Sequence, residues 1–177
     1  TQLQATGTLT NRGLVDGTDT QLDATTLNNI GTGRIYGDRL SIAATTVLND
    51  SETLNGTKAS AVIAARERLD IGAQTLTNRE GALIFSAGDI YIGGQLDAQR
   101  HATGQAVTVN NNSATIEALG SLSLNAATLN NTNEHFASEL RAYGTPENRF
   151  YIQPQGNSQK YLESAFTKNN GDLITCL

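Results

Sequence analysis

The chain has 177 residues, of which 38% are hydrophobic, 16% charged and only 5% aromatic, and its formal net charge is -5. This balance excludes a disordered polyelectrolyte, which combines low hydrophobicity with high net charge, and no apolar run approaches the ~20 residues of a membrane-spanning helix. With 12 basic residues against 17 acidic and a pI near 4.9, a nucleic-acid backbone is excluded as a partner, since such binders concentrate Lys and Arg.

The chain opens Thr1-Gln2-Leu3 and contains no methionine. Neither a basic segment nor an apolar signal stretch is present there, so the sequence reads as a fragment of a longer protein. The lone Cys176 cannot build a disulfide framework within the chain.

From residue 8 onward one pattern recurs: Thr8-Leu9-Thr10-Asn11, Thr26-Leu27-Asn28-Asn29, Thr46-Val47-Leu48-Asn49, Thr75-Leu76-Thr77-Asn78 and Thr128-Leu129-Asn130-Asn131, with a weaker copy at Val107-Thr108-Val109-Asn110. The marker asparagines at 11, 29, 49, 78, 110 and 131 are 18, 20, 29, 32 and 21 apart, so the unit is about 20 residues and two units carry extra chain. Asn29 to Ile35, Asn78 to Ile84 and Asn110 to Ile116 are each six apart, and a third alternating element follows at Leu40-Ser41-Ile42, Leu69-Asp70-Ile71, Ile90-Tyr91-Ile92 and Leu122-Ser123-Leu124. One unit therefore holds three short strands. The surplus falls at Ser51 to Lys58 and at Gly93 to Gly104, and insertions at fixed points of a stacked repeat form loops on one face, often the binding face.

Helical repeats run to about 33–47 residues and propeller blades to about 40, and leucine-rich repeats carry a leucine-dense signature that is missing here. A parallel β-helix fits instead. Its coils stack at about 4.8 Å, so equivalent inward residues form aliphatic columns, and five to six coils over residues 3 to 133 give a rod of about 25–30 Å. The expected columns are Leu27, Val47 and Leu76 in one strand and Ile35, Ile63, Ile84 and Ile116 in another. The asparagines are expected at sharp turns, where Asn tolerates left-handed backbone angles and its amide bonds to the amides above and below.

Near residue 134 the composition changes. Six of the nine aromatics, Phe136, Tyr143, Phe150, Tyr151, Tyr161 and Phe166, and both prolines, Pro146 and Pro154, lie in the final 44 residues. Arg149 to Gln153 and Lys160 to Phe166 read as extended segments around the polar turn Gln155 to Gln159, which predicts a β-hairpin that caps or projects from the repeat. The fold class read from the sequence is thus all-β, with a β-helix of about 20-residue coils over 1–136 and an aromatic-rich, non-repeat segment over 137–177.

Carboxylate catalysis needs acids clustered on one strand face over adjacent coils. Asp16, Asp19, Asp23, Asp38, Asp70, Asp89 and Asp97 read instead as scattered, mostly at turns, with Asp70 and Glu117 pointing outward in different strands. No enzymatic activity and no cofactor are expected. His101 and His135 stand alone without a Cys partner and read as solvated loop residues, so no metal site is expected. Gly93-Gly94-Gln95-Leu96-Asp97 lacks the nonapeptide period of a calcium repeat, and Arg66-Glu67-Arg68 reads as a solvated charged bend. The candidate partner-binding residues are the tail aromatics Tyr143, Phe150, Tyr151 and Tyr161, because large aromatic contacts dominate binding hot spots.

The segments Gly33-Arg34-Ile35-Tyr36-Gly37-Asp38-Arg39-Leu40, Ile63 through Gln74, Ala82 through Asp89, Ala114-Thr115-Ile116-Glu117-Ala118 and Asn130 through Phe136, in that order, resemble the haemagglutinin repeats of filamentous-haemagglutinin-type exoproteins, which include the effectors of contact-dependent growth inhibition. The resemblance spans about residues 5 to 136. It implies a right-handed parallel β-helix from a very large Gram-negative surface protein. Such a protein is extracellular and is exported by two-partner secretion through an outer-membrane transporter, which it engages by parts outside this chain. In the growth-inhibition branch similar repeats end where a receptor-binding region begins, and a toxin follows further on. Residues 137–177 carry no motif of either branch, so adhesin and toxin-delivery filament both stand.

The leading expectation is a structural spacer that presents a region for binding a target-cell surface receptor, with no nucleic-acid partner and no stable membrane insertion. The alternative is a β-helix that itself recognises a glycan or surface receptor through its inserted loops or its aromatic tail. The loops contain no aromatics, which directs that alternative to the tail.

Overall fold

The structure, a computed structural model, describes residues 1–141, 144, 147–169 and 172–175. Tyr143, Pro146 and Cys176 lie outside the described residues. The chain forms two compact units, Thr1–Phe136 and Ala137–Leu177.

The first unit is almost wholly β. Its main sheet has 13 strands, and the path through it runs Gln2–Gln4, Asp19–Ile30, Arg34–Leu54, Val62–Arg79, Ala106–Asn112 and Ala126–Thr132. These neighbours pair in parallel, and residues a full sequence unit apart lie side by side. Leu9, Leu27, Val47, Leu76, Val109 and Leu129 form one such row. Val15, Ile35, Ile63, Ile84 and Ile116 form a second. Leu3, Leu22, Ile42, Ile71, Ile92 and Leu124 form a third. Both expected columns are therefore present, and the middle members of all three rows belong to one buried cluster. Alternation along each strand explains the pattern, since side chains at i and i+2 share a face and aliphatic residues recur at the inward positions of these three rows.

The asparagine stack is present, with one correction. Asn11, Asn29, Asn49, Asn78, Asn111 and Asn131 form it, each Nδ2 donating to the next Oδ1 at 2.8–2.9 Å. Asn111, not Asn110, is the fifth member. Ile116 pairs with Ile84 as the spacing requires, but the turn before it is one residue shorter, and a fixed six-residue interval picks the wrong asparagine. Asn110 bonds instead to Asn130 Nδ2 in an exposed second row.

The physical reason for asparagine also differs from expectation. The stacked residues are not left-handed; positive φ falls two residues later, at Gly31, Glu80 and Ser113. What asparagine supplies is two donors and an acceptor on one short stem. Besides the amide above, Asn29 Nδ2 donates to Val62 O at 3.0 Å, Asn49 to Leu83 O at 3.0 Å and Asn78 to Thr115 O at 2.8 Å. Each amide thereby ties the strand before a turn to the strand after the turn of the next unit.

Both insertions are antiparallel β-hairpins rather than irregular loops. Ser51–Leu54 pairs with Thr57–Ser60 around Asn55-Gly56, whose φ values of 51° and 78° suit the type I′ turn that Asn-Gly favours. Gln95–Leu96 pairs with Ala102–Thr103.

In the second unit, Tyr151–Ile152 pairs antiparallel with Tyr161–Leu162, which is the hairpin read from the sequence. Glu163–Ala165 forms a 3-10 turn. A further antiparallel pair, Phe166–Asn169 with Asp172–Thr175, adds to what the sequence predicts.

Candidate functional site

Of the tail aromatics proposed as partner-binding residues, Phe150 and Tyr151 are 67% and 55% exposed. Tyr161 is half-buried and meets Phe166 edge-on, with ring centroids 6.1 Å apart. Register places Tyr151 opposite Leu162 and Ile152 opposite Tyr161, so the hairpin separates its two tyrosines onto successive cross-strand pairs. Phe150, Leu162 and Glu163 share a shallow cleft of about 450 Å³. Tyr143 lies outside the described residues.

The acids of the first unit are organised, contrary to the reading of scattered turn residues. Asp19, Asp23, Asp38, Asp70 and Asp89 sit on strands; Asp19 and Asp38 pair with an arginine of a neighbouring strand, Asp70 with one of its own strand and Asp23 with Arg100 of the second hairpin, while Asp89 accepts from Ser121 N and Tyr91 Oη. Arg39 forks onto Asp19 at 2.6 and 3.0 Å. Arg66 bridges Asp38 at 3.0 Å and Asp16 at 3.1 Å, so Arg66-Glu67-Arg68 is not a solvated bend but part of the strand Val62–Arg79, with Arg66 ion-paired. The Arg66 hydrogen bonds hold the Asp16 carboxyl below its ordinary range, and Arg39 does the same for Asp19. His135 is not merely solvated, because its Nε2 lies 2.9 Å from Glu80 Oε1. That contact acts together with the stronger bond from Lys58 to lower the Glu80 carboxyl. Among the described residues no three His, Cys, Asp or Glu side chains stand together as metal ligands.

Asp70 points outward, as alternation requires, yet it is only 3% exposed. The second hairpin covers it. Arg68 forks onto Asp70 at 2.6 and 3.0 Å while stacking over the Tyr91 ring at 4.0 Å. The Ala102 N–H donates to Asp70 Oδ1 at 2.8 Å. Gly72 admits the hairpin backbone, since a Cβ there would collide with the carbonyl carbon of Gln95. At the hairpin tip Arg100, with φ of 64°, reaches back over the sheet. Its Nε donates to Ser41 Oγ at 2.6 Å and its Nη1 to Asp23 Oδ1 at 3.0 Å. A cleft of about 380 Å³ remains under this strap, lined by Gln21, Arg39, Ser41, Arg68, Arg100 and His101 among others. Each of its arginines is committed to an aspartate, so the cleft is close to neutral.

The tail holds six of the nine aromatics, but the repeat has three of its own. Tyr36, Phe85 and Tyr91 follow or lie between inward aliphatics, Ile35, Ile84, Ile90 and Ile92, so alternation puts all three rings outside. The signal was present in the sequence, in the same alternation used for the core. Tyr36 and Phe85 flank Ala64 in one register row and line a cleft of about 220 Å³ with Gly37, Ala65, Arg66 and Ala87.

Comparison of the chain with protein-family models, with curated proteins and with solved structures returned no match.

Proposed function

We propose that Thr1–Phe136 is a right-handed parallel β-helix of about 20-residue coils that serves as a stiff spacer in a large secreted bacterial surface protein of the filamentous-haemagglutinin type. The observation that carries this reading is the unbroken asparagine stack, which keeps successive units in one register from Asn11 to Asn131. Three inward rows converging on one buried cluster support a closed coil over a flat sheet, and parallel crossovers are right-handed in nearly all proteins. Continuous backbone ladders along the stacking direction make bending costly, which suits a spacer.

In this reading the protein is extracellular on a Gram-negative cell. It leaves that cell through an outer-membrane two-partner transporter engaged by other parts of the protein, and it presents a receptor-binding region in or beyond 137–177. The exposed Phe150 and Tyr151 favour that placement, because aromatics dominate binding hot spots.

The test is binding of the 177-residue chain to susceptible target cells, beside a chain ending at residue 136 and the double variant Tyr151→Ala, Tyr161→Ala. The truncated chain is expected to lose most of the binding and the double variant to weaken it. A truncated chain that binds as tightly as the intact one overturns the spacer reading.

A further inference from the structure

Three outward features remain after the fold and the tail are accounted for: the neutral cleft beneath the second hairpin, the small-residue groove on the hairpin's other side, and the Tyr36–Phe85 cleft. In the first, every arginine is neutralised. The second is lined mainly by Ala, Thr, Gln and Gly, and its one charged side chain, Asp23, is committed to Arg100. The third has a defined geometry.

Tyr36, Ala64 and Phe85 lie side by side in parallel register. Their neighbours Ile35, Ile63 and Ile84 are fully buried, so the core is complete without the two rings, which stay half-buried on the outer surface. With Ala64 between them, Tyr36 and Phe85 leave the backbone two strand spacings apart, about 9.6 Å, and the small side chain leaves a pit. One wall of the cleft is Arg66, held by Asp38 and Asp16.

We infer that the Tyr36–Ala64–Phe85 row is a carbohydrate subsite for a flat, neutral, β-1,4-linked pyranose chain. Two sugar rings of such a chain repeat over a distance close to the spacing of the two strand positions that carry the aromatic side chains. A pyranose presents an apolar C–H face and a hydroxyl rim; the rings match the first, and the Arg66–Asp38–Asp16 cluster supplies donors and acceptors for the second. An acidic chain is disfavoured, because Arg66 is already matched by two carboxylates and the protein carries a net charge of -5. This subsite lies on the repeat itself, not on the inserted hairpins or the tail, and it is additional to the spacer role.

The experiment titrates the 177-residue chain with cellohexaose and with chitohexaose by calorimetry and saturation-transfer NMR, with maltohexaose, which coils rather than lying flat, as the control. At least one flat hexasaccharide is expected to bind and maltohexaose not to. Tyr36→Ala and Phe85→Ala are each expected to weaken binding about tenfold, and together to abolish it. Ala64→Arg should abolish it by filling the pit while both rings remain. Tyr91→Ala, outside the cleft, should leave it unchanged. All four substitutions are at outward positions, and circular dichroism checks that the strand content is kept.

Absence of binding to both flat sugars, equal binding of maltohexaose, or binding that survives the double variant overturns the inference. So does concentration-dependent self-association of the wild-type chain that the double variant loses, which would make the row a contact between copies. The two readings fail separately. A silent titration leaves the spacer intact, and tight cell binding by residues 1–136 that persists without the two rings removes the spacer reading alone.

Discussion

Neighbouring units of Thr1–Phe136 are joined twice, inside by asparagine amides and outside by arginine–carboxylate pairs. The inner bonds are neutral, short and buried: Asn29, Asn49 and Asn78 have no exposed surface. The outer ones, such as Arg12–Glu52, Arg39–Asp19 and Arg66–Asp16, leave the arginine more than half exposed. A bond made in a dry interior cannot be replaced by water when a partner is removed, so its loss carries the full desolvation penalty. An exposed pair is screened and exchanged for solvent, and contributes little. The inner and outer connections thus contribute unequally.

The largest test strikes the interior where no polar partner exists. Ile84→Asp places a carboxylate in an aliphatic row and is expected to cost at least about 4 kcal/mol, lowering the denaturation midpoint and unfolding neighbouring units, since stacked repeats are coupled through their interfaces. A midpoint close to wild type would mean that Ile84 does not face the core.

Asn49→Asp keeps the shape and removes the donors to Asn78 Oδ1 and Leu83 O. The expected loss is about 3 kcal/mol at pH 7. Burial raises the pKa of the introduced carboxyl in the fold above its unfolded value. Stability should therefore be partly regained as the pH falls through that raised value, because the protonated acid can donate one bond. An acid titration followed by circular dichroism that shows no such recovery would argue against a buried donor at this position.

Arg100→Ala tests an outer connection that is half shielded. It should cost about 1–2 kcal/mol and make the Gln95–Thr103 hairpin sensitive to protease while the sheet persists. Deleting residues 52–58 removes the Arg12–Glu52 and Lys58–Glu80 pairs yet few core contacts, so a loss under about 1 kcal/mol is expected. Should this deletion rival Ile84→Asp, the first hairpin would be part of the core.

The smallest effect is on the exposed pairs together. Arginine hydrogen bonds lower the carboxyls of Asp16, Asp19 and Glu52 in the fold. Their contribution is therefore present above the ordinary carboxylate range, near pH 4, and is lost as the pH falls through the lowered values. The melting temperature should drop slightly on acidification in dilute buffer and less so in 1 M salt.

Much of the first unit was legible because its period is carried by chemistry. Rows such as Leu27–Val47–Leu76 follow from alternation, and the asparagines fix the register. The slip from Asn111 to Asn110 arose where a turn shortens by one residue, a change that leaves no mark in composition. The burial of Asp70 was illegible for a different reason: it depends on a hairpin inserted more than 20 residues later folding back over the sheet, and nothing local to Leu69-Asp70-Ile71 announces that cover. The outward rings of Tyr36 and Phe85 were legible in principle, but counting aromatics by region hid them. The second antiparallel pair of the tail, from Phe166 onward, carries no periodic signal at all.

The strap formed by Arg100 changes how the repeat gives way under tension. Arg100 and Asp23 are 77 residues apart in sequence, so the bond between them closes a large loop of chain around the units that lie between. A stack without such a closure peels one unit at a time when pulled from its N-terminal end, and a force–extension trace then shows small, even steps of contour length. With the strap in place, tension that has peeled the chain as far as Asp23 passes to Arg100 and bypasses the units between them until the ion pair breaks. The pair is weaker than the ladders it shields, so it adds one early event to the staircase, which Arg100→Ala should remove.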